Sequence, residues 1–192
     1  MYTDNGDIER IQGYLGSPLV MDMHYEIQPF EYDVVEGSMS GGRAHDVTMF
    51  IRGMEDPRLI AVIRKHFFPP GAYRAPSGAA HRGETLERGA AREALEETGL
   101  EIELERYLLR INARFTCAER RLINWTSHVF EARQVEGRLE PIDTDEIEAA
   151  RWATEDELQG PIRRVLVESG WGLFRYRVAL TDLTVELMGA GA

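Results

Sequence analysis

The chain has 192 residues, of which 43% are hydrophobic, and a formal net charge of −11 at pH 7. That length allows one well-filled core and is short for two full domains, so we expect one domain with an extension. The negative charge argues against binding of a nucleic acid polymer, because no long basic run offsets it. The negative net charge does not exclude a small anionic ligand, since a few cations in one cleft can override the global charge.

Residues 1–42 are acidic and end in a run of small residues at positions 38–42. We interpret them as an N-terminal extension with a linker, and residues 43–192 as the main domain. Within the extension, residues 24–35 are predicted to form one or two strands. Residues 1–7 lack the basic and apolar regions of a signal peptide, no segment has the apolar length of a membrane span, and Cys117 has no second cysteine to pair with. We therefore expect a cytoplasmic protein without a membrane partner.

Aliphatic and β-branched runs predict strands at residues 47–52, 59–65, 100–112, 122–133 and 147–152. A helix is predicted from Glu155 toward Glu168, capped by Thr154 and interrupted at Gly160-Pro161. Leucines repeat at spacings of three and four in the tail, which indicates a last helix. Strands alternating with helices indicate an α/β fold, with helices on both sides of a central mixed sheet.

The most informative segment is residues 78–100. Thr85 can cap a helix there, and Gly99 can supply the positive φ that ends it. At 100° per residue, Glu93, Glu96 and Glu97 fall within about a 100° arc. We expect the opposite side, with Ala91, Ala94 and Leu95, to face the core.

Carboxylates at this spacing would repel one another by roughly 3 kcal/mol in a cleft of effective dielectric near 20, and a bound dication reverses that sign. The cluster is therefore either a solvated acidic face or a divalent-metal site. Hard oxygen ligands of this kind suit Mg²⁺, which retains several waters and is typical of phosphate chemistry.

The segment has Gly78, five residues, Glu84, seven residues, then Arg92-Glu93, Glu96-Glu97, Gly99 and Leu100. This resembles the Nudix box at every defined position, and related-looking sequence extends over about residues 45–170. Ser77 stands where the family commonly has a glycine, which matters if that position needs a positive φ.

The resemblance implies a Nudix-type α/β/α sandwich and a bound Mg²⁺ or Mn²⁺ ion. By that resemblance the metal ligands are Glu93, Glu96, Glu97, a backbone carbonyl of Gly78 or Ala79, and Glu146 from the acidic loop at residues 143–146. A carboxylate must also accept the proton of the attacking water, and Glu96, Glu93 and Glu146 remain candidates for that base. Arg92 is expected to orient Glu84 by an ion pair.

Residues outside the box could bind the substrate. Arg74 and Arg82 are candidates for phosphate contacts, and Tyr73 and Trp125 for stacking on a ring. Ordinary surface arginines and core aromatic residues are the competing interpretation for each of them.

The function that this predicts is metal-dependent hydrolysis of a diphosphate linkage in a nucleoside diphosphate derivative, such as a nucleotide sugar or an ADP-ribose-like compound. The alternatives are a pyrophosphohydrolase of modified nucleoside triphosphates, a catalytically inactive Nudix-fold binding or regulatory module, and, less favoured, a Nudix-fold isomerase. Because many Nudix proteins are homodimers, the resemblance also implies a possible homodimer.

Overall fold

A computed structural model describes residues 5–190, without the side chains of Asn5 and Ser40. The helices are α1 (Asn5–Leu15), α2 (Pro29–Ser38), α3 (Leu86–Thr98), α4 (Glu155–Glu157), α5 (Arg163–Glu168) and α6 (Gly172–Gly189), with a 3₁₀ turn at Ser40–Gly42 and a π-helical turn at Leu158–Ile162. The strands are β1 (Leu19–Glu26), β2 (His45–Arg52), β3 (Leu59–Lys65), β4 (Ser77–Gly78), β5 (Leu100–Thr116), β6 (Ile123–Gly137) and β7 (Ile147–Thr154).

The strands form one mixed seven-stranded sheet with the order β1-β5-β6-β2-β3-β7, and β4 pairs with β2. Strand β1 runs parallel to β5, and β2 runs parallel to β6, whereas the β5–β6 and β3–β7 pairs are antiparallel. One apolar core joins the sheet to α2 and α6, and a second joins it to α1 and α3. The chain is therefore an α/β sandwich, as predicted. None of the helices within residues 5–190 is long and apolar enough to cross a lipid bilayer.

The predicted strands are present, and β3 has the predicted bounds. The tail is helical, and Pro161 lies in the π-helical turn that interrupts the preceding helical segment. The strand prediction for residues 24–35 was wrong beyond Glu26, because α2 begins at Pro29. The reason is local: Pro29 suits the first turn of a helix, and Gln28 and Glu31 form a capping box.

Helix α3 has the predicted ends. The Oγ1 atom of Thr85 accepts a hydrogen bond from the backbone N–H of Arg88 at 3.3 Å, and Gly99 has a φ of 73°. The predicted packing face was wrong, since Ala91 and Leu95 are exposed and only Ala94 of that set is buried. The buried side is formed by Leu86, Gly89, Ala90, Ala94, Glu97 and Thr98. The helix is turned so that two of its glutamates point inward, toward backbone N–H groups of β4 and the residue after it.

Candidate metal and substrate site

The carboxylate of Glu93 lies against the loop that leads into α3. Its Oε1 atom accepts a hydrogen bond from the backbone N–H of Ala79 at 2.9 Å. A Cβ atom at Gly78 would lie 1.9 Å from Cδ of Glu93, so this approach requires a residue without a side chain. Strand β4 and helix α3 thus bring the backbone at Gly78 and Ala79 next to the carboxylate of Glu93.

Glu97 lies one helical turn further on and is only 4% exposed. Its Oε2 atom accepts a hydrogen bond from the backbone N–H of Ser77 at 2.7 Å. The Oε1 atom is 3.7 Å from Nη2 of Arg74 and 3.9 Å from Nζ of Lys65. Burial raises the pKa of the Glu97 carboxyl, and the two neighbouring cations oppose that shift. A buried carboxylate of this kind is stabilised by a cation beside it.

Arg92 connects the carboxylates of the box. Its guanidinium donates to Glu84 at 3.1 and 3.2 Å and to the carbonyl oxygen of Ala79 at 2.5 Å. Its Nη1 atom donates to Glu93 and to Glu96, each at 2.9 Å. The expected Arg92–Glu84 ion pair is present, and the same fork also fixes the position of Glu93.

The acidic loop that contains Glu146 is attached to the end of α3. The carbonyl oxygen of Glu96 accepts hydrogen bonds from the backbone N–H groups of Ile142 at 3.0 Å and Asp143 at 2.9 Å. The Lys65 ammonium contacts the carboxylate of Glu146 and also lies near Glu97. A positive charge therefore lies between the helix and the loop, where the resemblance predicts both to contribute metal ligands.

A buried ion pair that the sequence did not predict lies behind Ser77. Nη2 of Arg177, in α6, donates to Oδ2 of Asp46 at 2.8 Å and to Oγ of Ser77 at 3.2 Å. Trp125 and Ser127 donate to the other oxygen of Asp46. Although burial opposes its ionisation, Arg177 and these donors hold the pKa of Asp46 below its usual value. Ser77 lies in β4 without a positive φ, so serine fits at this position.

A pocket of about 170 Å³ opens beside these groups, between α2, the sheet and the start of α6. Its wall includes Gly78 and Ser77 at the box, and four cationic side chains, those of Arg43, Lys65, Arg74 and Arg177. The remainder is largely aromatic: Phe30, Phe67, Phe68, Phe115, Trp125, Trp171, Phe174 and Tyr176. Such a pocket suits a ligand with an anionic part and a flat apolar part.

The structure brings together most of the predicted site residues, but not all of them. Arg74 and Trp125 line the pocket, although Arg74 is almost fully buried and faces Glu97. Tyr73 lies outside it, with its ring 4.8 Å from the guanidinium carbon of Arg151. Arg82 is exposed in the loop before α3.

The donor set fits a hard divalent cation. Glu93 and Glu97 point at one stretch of backbone, and Glu96 and Glu146 flank it. Within residues 5–190 no three acidic, histidine or cysteine side chains are spaced as a finished metal cage. Arg92 and Lys65 instead pair with the carboxylates. A metal ion bound here would share the carboxylates with these two cations or displace the cations.

The sandwich of helices about a mixed sheet, with carboxylates and arginines gathered at one pocket, defines a fold and a site suited to phosphate chemistry. The family model for the NUDIX domain matches residues 42–169, about two thirds of the chain. The chain belongs to the Nudix family, and is a pyrophosphohydrolase of the Nudix type.

Solved structures share this fold. A UDP-X diphosphatase superimposes with a TM-score of 0.57 at 17% sequence identity, over 84% of this chain and 72% of that one. A NUDIX hydrolase from Nitrosomonas europaea gives a TM-score of 0.54 at 22% identity, over 78% of this chain and 90% of that one. Comparison with curated proteins returned no match.

Proposed function

We propose that this chain is a Mg²⁺- or Mn²⁺-dependent hydrolase that cleaves the diphosphate linkage of a nucleoside diphosphate joined to a second group. The observation that carries the proposal is the convergence of Glu93 and Glu97 on the backbone N–H groups of Ala79 and Ser77. Ser77 and Gly78, against which these carboxylates lie, line a pocket whose wall holds several cations. The fold is shared with a UDP-X diphosphatase, whose name denotes a diphosphate linkage of the same kind.

The residues that would hold the metal are Glu93 and Glu97, with the carbonyl oxygen of Gly78 or Ala79, and with Glu96 and Glu146 at the rim. A divalent ion bound there supplies positive charge that neutralises the phosphate oxygens as charge builds in the transition state. Arg92 keeps Glu93 in place, because its fork already joins Glu93 to Glu84 and to the loop backbone.

The cations of the pocket wall bind and orient the diphosphate in this proposal. Arg177 is fixed by Asp46, and its guanidinium reaches Ser77 at the edge of the box. Arg74 donates to Ser77 Oγ at 2.8 Å, so two guanidinium groups face the same hydroxyl. Positively charged groups held in advance at this edge stabilise a phosphate anion without further rearrangement.

The base that accepts the proton of the attacking water must be reachable by water. Glu146 and Glu96 have half-exposed side chains, whereas the Glu93 side chain is only 15% exposed. This accessibility supports Glu146 or Glu96 over Glu93 as the base. Single changes of each to glutamine separate the candidates: the base variant should lose kcat at neutral pH to a greater extent than it loses metal affinity.

The test of the proposed function is a panel of nucleotide sugars, ADP-ribose-like compounds and nucleoside triphosphates, incubated with Mg²⁺ or Mn²⁺. Released phosphate is measured with and without added phosphatase. We expect phosphate only when phosphatase is present, since hydrolysis of a capped diphosphate yields two phosphomonoesters. Release of free pyrophosphate would instead support the triphosphate alternative, and absence of any metal-dependent turnover would overturn the proposal in favour of a binding module. The homodimer stays a prediction, which light scattering on the purified protein can test.

A further inference from the structure

The aromatic part of the pocket is built by segments outside the Nudix box. Phe30 belongs to α2, Phe67 follows β3, and Trp171 and Phe174 lie at the start of α6. Trp171 stacks on Phe174 with ring centroids 4.6 Å apart, and Phe67 lies nearly parallel to Trp171 at 6.4 Å. Phe67 is 53% exposed and Phe30 is 40% exposed, although aromatic rings of this size are usually more deeply buried. Exposed aromatic faces at the mouth of a pocket are suited to stacking on a flat ligand.

The carboxylates of this pocket are already engaged. Glu31 accepts hydrogen bonds from the backbone N–H groups of Gly172 at 3.1 Å and Leu173 at 2.8 Å, and thereby caps α6. Asp46 is paired with Arg177 and accepts from Trp125 and Ser127. Neither carboxylate therefore has its full capacity free to accept a hydrogen bond from a ligand.

Arg43, by contrast, has free donors. Its guanidinium carbon lies 5.6 Å from the centroid of the Trp125 ring. Among the residues that the structure describes, no carboxylate lies within ion-pair distance of it, and its buried Nε atom has no hydrogen-bond partner. A buried donor without a partner is rare in a folded protein and indicates that something else completes it. The free hydrogen-bonding groups of this pocket are thus mainly donors.

We propose that this pocket binds a nucleobase that carries ring carbonyl oxygens, stacked on the exposed aromatic faces, with Arg43 donating to a carbonyl. The inference rests on the proposed function, because the base is taken to belong to the nucleoside diphosphate whose phosphates lie at Gly78. Uracil and guanine offer carbonyl acceptors, and a guanidinium pairs well with such edges. Cytosine keeps the carbonyl at position 2 but presents an amino donor at position 4, and adenine presents an amino donor and no carbonyl. The carboxylates of Glu31 and Asp46, which would accept from such a donor, already accept hydrogen bonds within the protein. A pocket of about 170 Å³ accommodates one ring system rather than two, since benzene fills a cavity of about 150 Å³.

The test compares UMP with CMP, which share the carbonyl at position 2 and differ at position 4, a carbonyl oxygen against an amino group, and in the proton on N3. The comparison therefore tests donation from Arg43 to the carbonyl at position 4. Binding is measured by calorimetry with EDTA present, so that neither metal nor turnover contributes. We expect UMP to bind about tenfold more tightly than CMP, the scale of one hydrogen bond to a charged group. Arg43→Leu should remove that preference, and Phe67→Ala should weaken both nucleotides. Arg164→Leu is the matched control, because Arg164 is exposed on α5 outside the pocket and should leave both affinities unchanged.

Circular dichroism and thermal unfolding establish that each variant is folded. Equal affinity for UMP and CMP, or a preference that survives Arg43→Leu, would overturn the inference. The proposed function fails separately, through absence of metal-dependent hydrolysis across the substrate panel. Hydrolysis with no base preference would therefore remove this inference and leave the proposed function intact.

Discussion

The carboxylate of Glu93 occupies the space that a side chain at Gly78 would need. A Cβ atom there would lie 1.9 Å from Cδ of Glu93 and 2.0 Å from Oε2. Gly78 does not have a positive φ, so glycine is needed here for space and not for backbone conformation. Gly78 and Glu93 are thus coupled by close packing.

Gly78→Ala should displace Glu93 while leaving the fold intact, because the clash is with the movable end of a side chain. We expect Mn²⁺ affinity to fall by at least about tenfold, the scale seen when a residue that orients a ligand is lost. Calorimetric titration with Mn²⁺ measures this change. Gly13→Ala is the control, since a Cβ atom there would meet no atom within 4 Å. Unchanged Mn²⁺ affinity in Gly78→Ala would show that Glu93 does not bind metal from this position.

Glu97→Gln removes the negative charge from a buried carboxylate that Arg74 and Lys65 face. The amide preserves the size of the side chain, so the protein should remain folded, but two buried cations lose their partner charge. We expect kcat/KM to fall by more than about 100-fold, since a direct ligand matters more than its supporting residues. Steady-state hydrolysis measures the effect, with the exposed Glu101→Gln as the control. Full activity in Glu97→Gln would refute the assignment of Glu97.

Arg92→Lys keeps the charge but loses the planar fork that holds four acceptors. A lysine ammonium cannot reach Glu84, Glu93 and the Ala79 carbonyl in one geometry. Activity should fall by about 10–100-fold, with KM for the metal rising. Arg88→Lys provides a matched control on the exposed side of the same helix. Equal metal dependence in the two variants would show that Arg92 contributes charge alone.

Burial of His128 should make the folded protein less stable in acid. It is almost fully buried, its Nδ1 atom lies 2.6 Å from the hydroxyl of Tyr107, and burial, with His45 and Arg110, lowers its pKa from 6.5 to about 3. The unfolded chain therefore takes up a proton below pH 6.5 that the folded chain does not. Its contribution to stability is complete above pH 6.5 and is lost as the pH falls toward 3, at about 1.4 kcal/mol for each pH unit.

Urea unfolding of the wild type and of His128→Gln between pH 7 and pH 5 isolates this effect, because glutamine does not titrate. The difference in the free energy of unfolding between the two proteins should shrink steadily as the pH falls. A difference that stays constant across this range would contradict a neutral, buried His128.

Patterns of neighbouring residues predicted the helices and strands, whereas contacts between residues distant in the sequence determine the geometry of the site. Thr85 and Gly99 mark the ends of α3 in the sequence, and β-branched runs mark β2 and β3, because capping and strand propensity depend on neighbouring residues. The side of α3 that faces inward carries Leu86, Ala90 and Ala94 at helical spacing, but it also carries glutamates, which apolar periodicity alone assigns to solvent. Hydrogen bonds from the backbone of Ser77 and Ala79 hold these glutamates toward the protein.

The pocket was still less predictable. Asp46 lies in a segment already noted for its resemblance to Nudix sequences, but nothing near Arg177 in the sequence indicates that the two form an ion pair across 131 positions. Trp171 and Phe174 lie three positions apart, a spacing that in a sequence indicates a core-facing helix as readily as a binding wall. These residues meet because α6 packs against the sheet and its N-terminal backbone is capped by Glu31.

A crystal grown or soaked with Mn²⁺ shows whether Glu93 and Glu97 bind a divalent metal ion. We expect anomalous density within about 2.0–2.3 Å of carboxylate oxygens of Glu93 and Glu97, beside the carbonyl oxygen of Gly78 or Ala79. The ammonium of Lys65 should then lie farther from Oε1 of Glu97 than the 3.9 Å of the present structure. Ordered glutamates still bound to Arg92, Ser77 and Lys65, with the anomalous density elsewhere, would contradict this expectation.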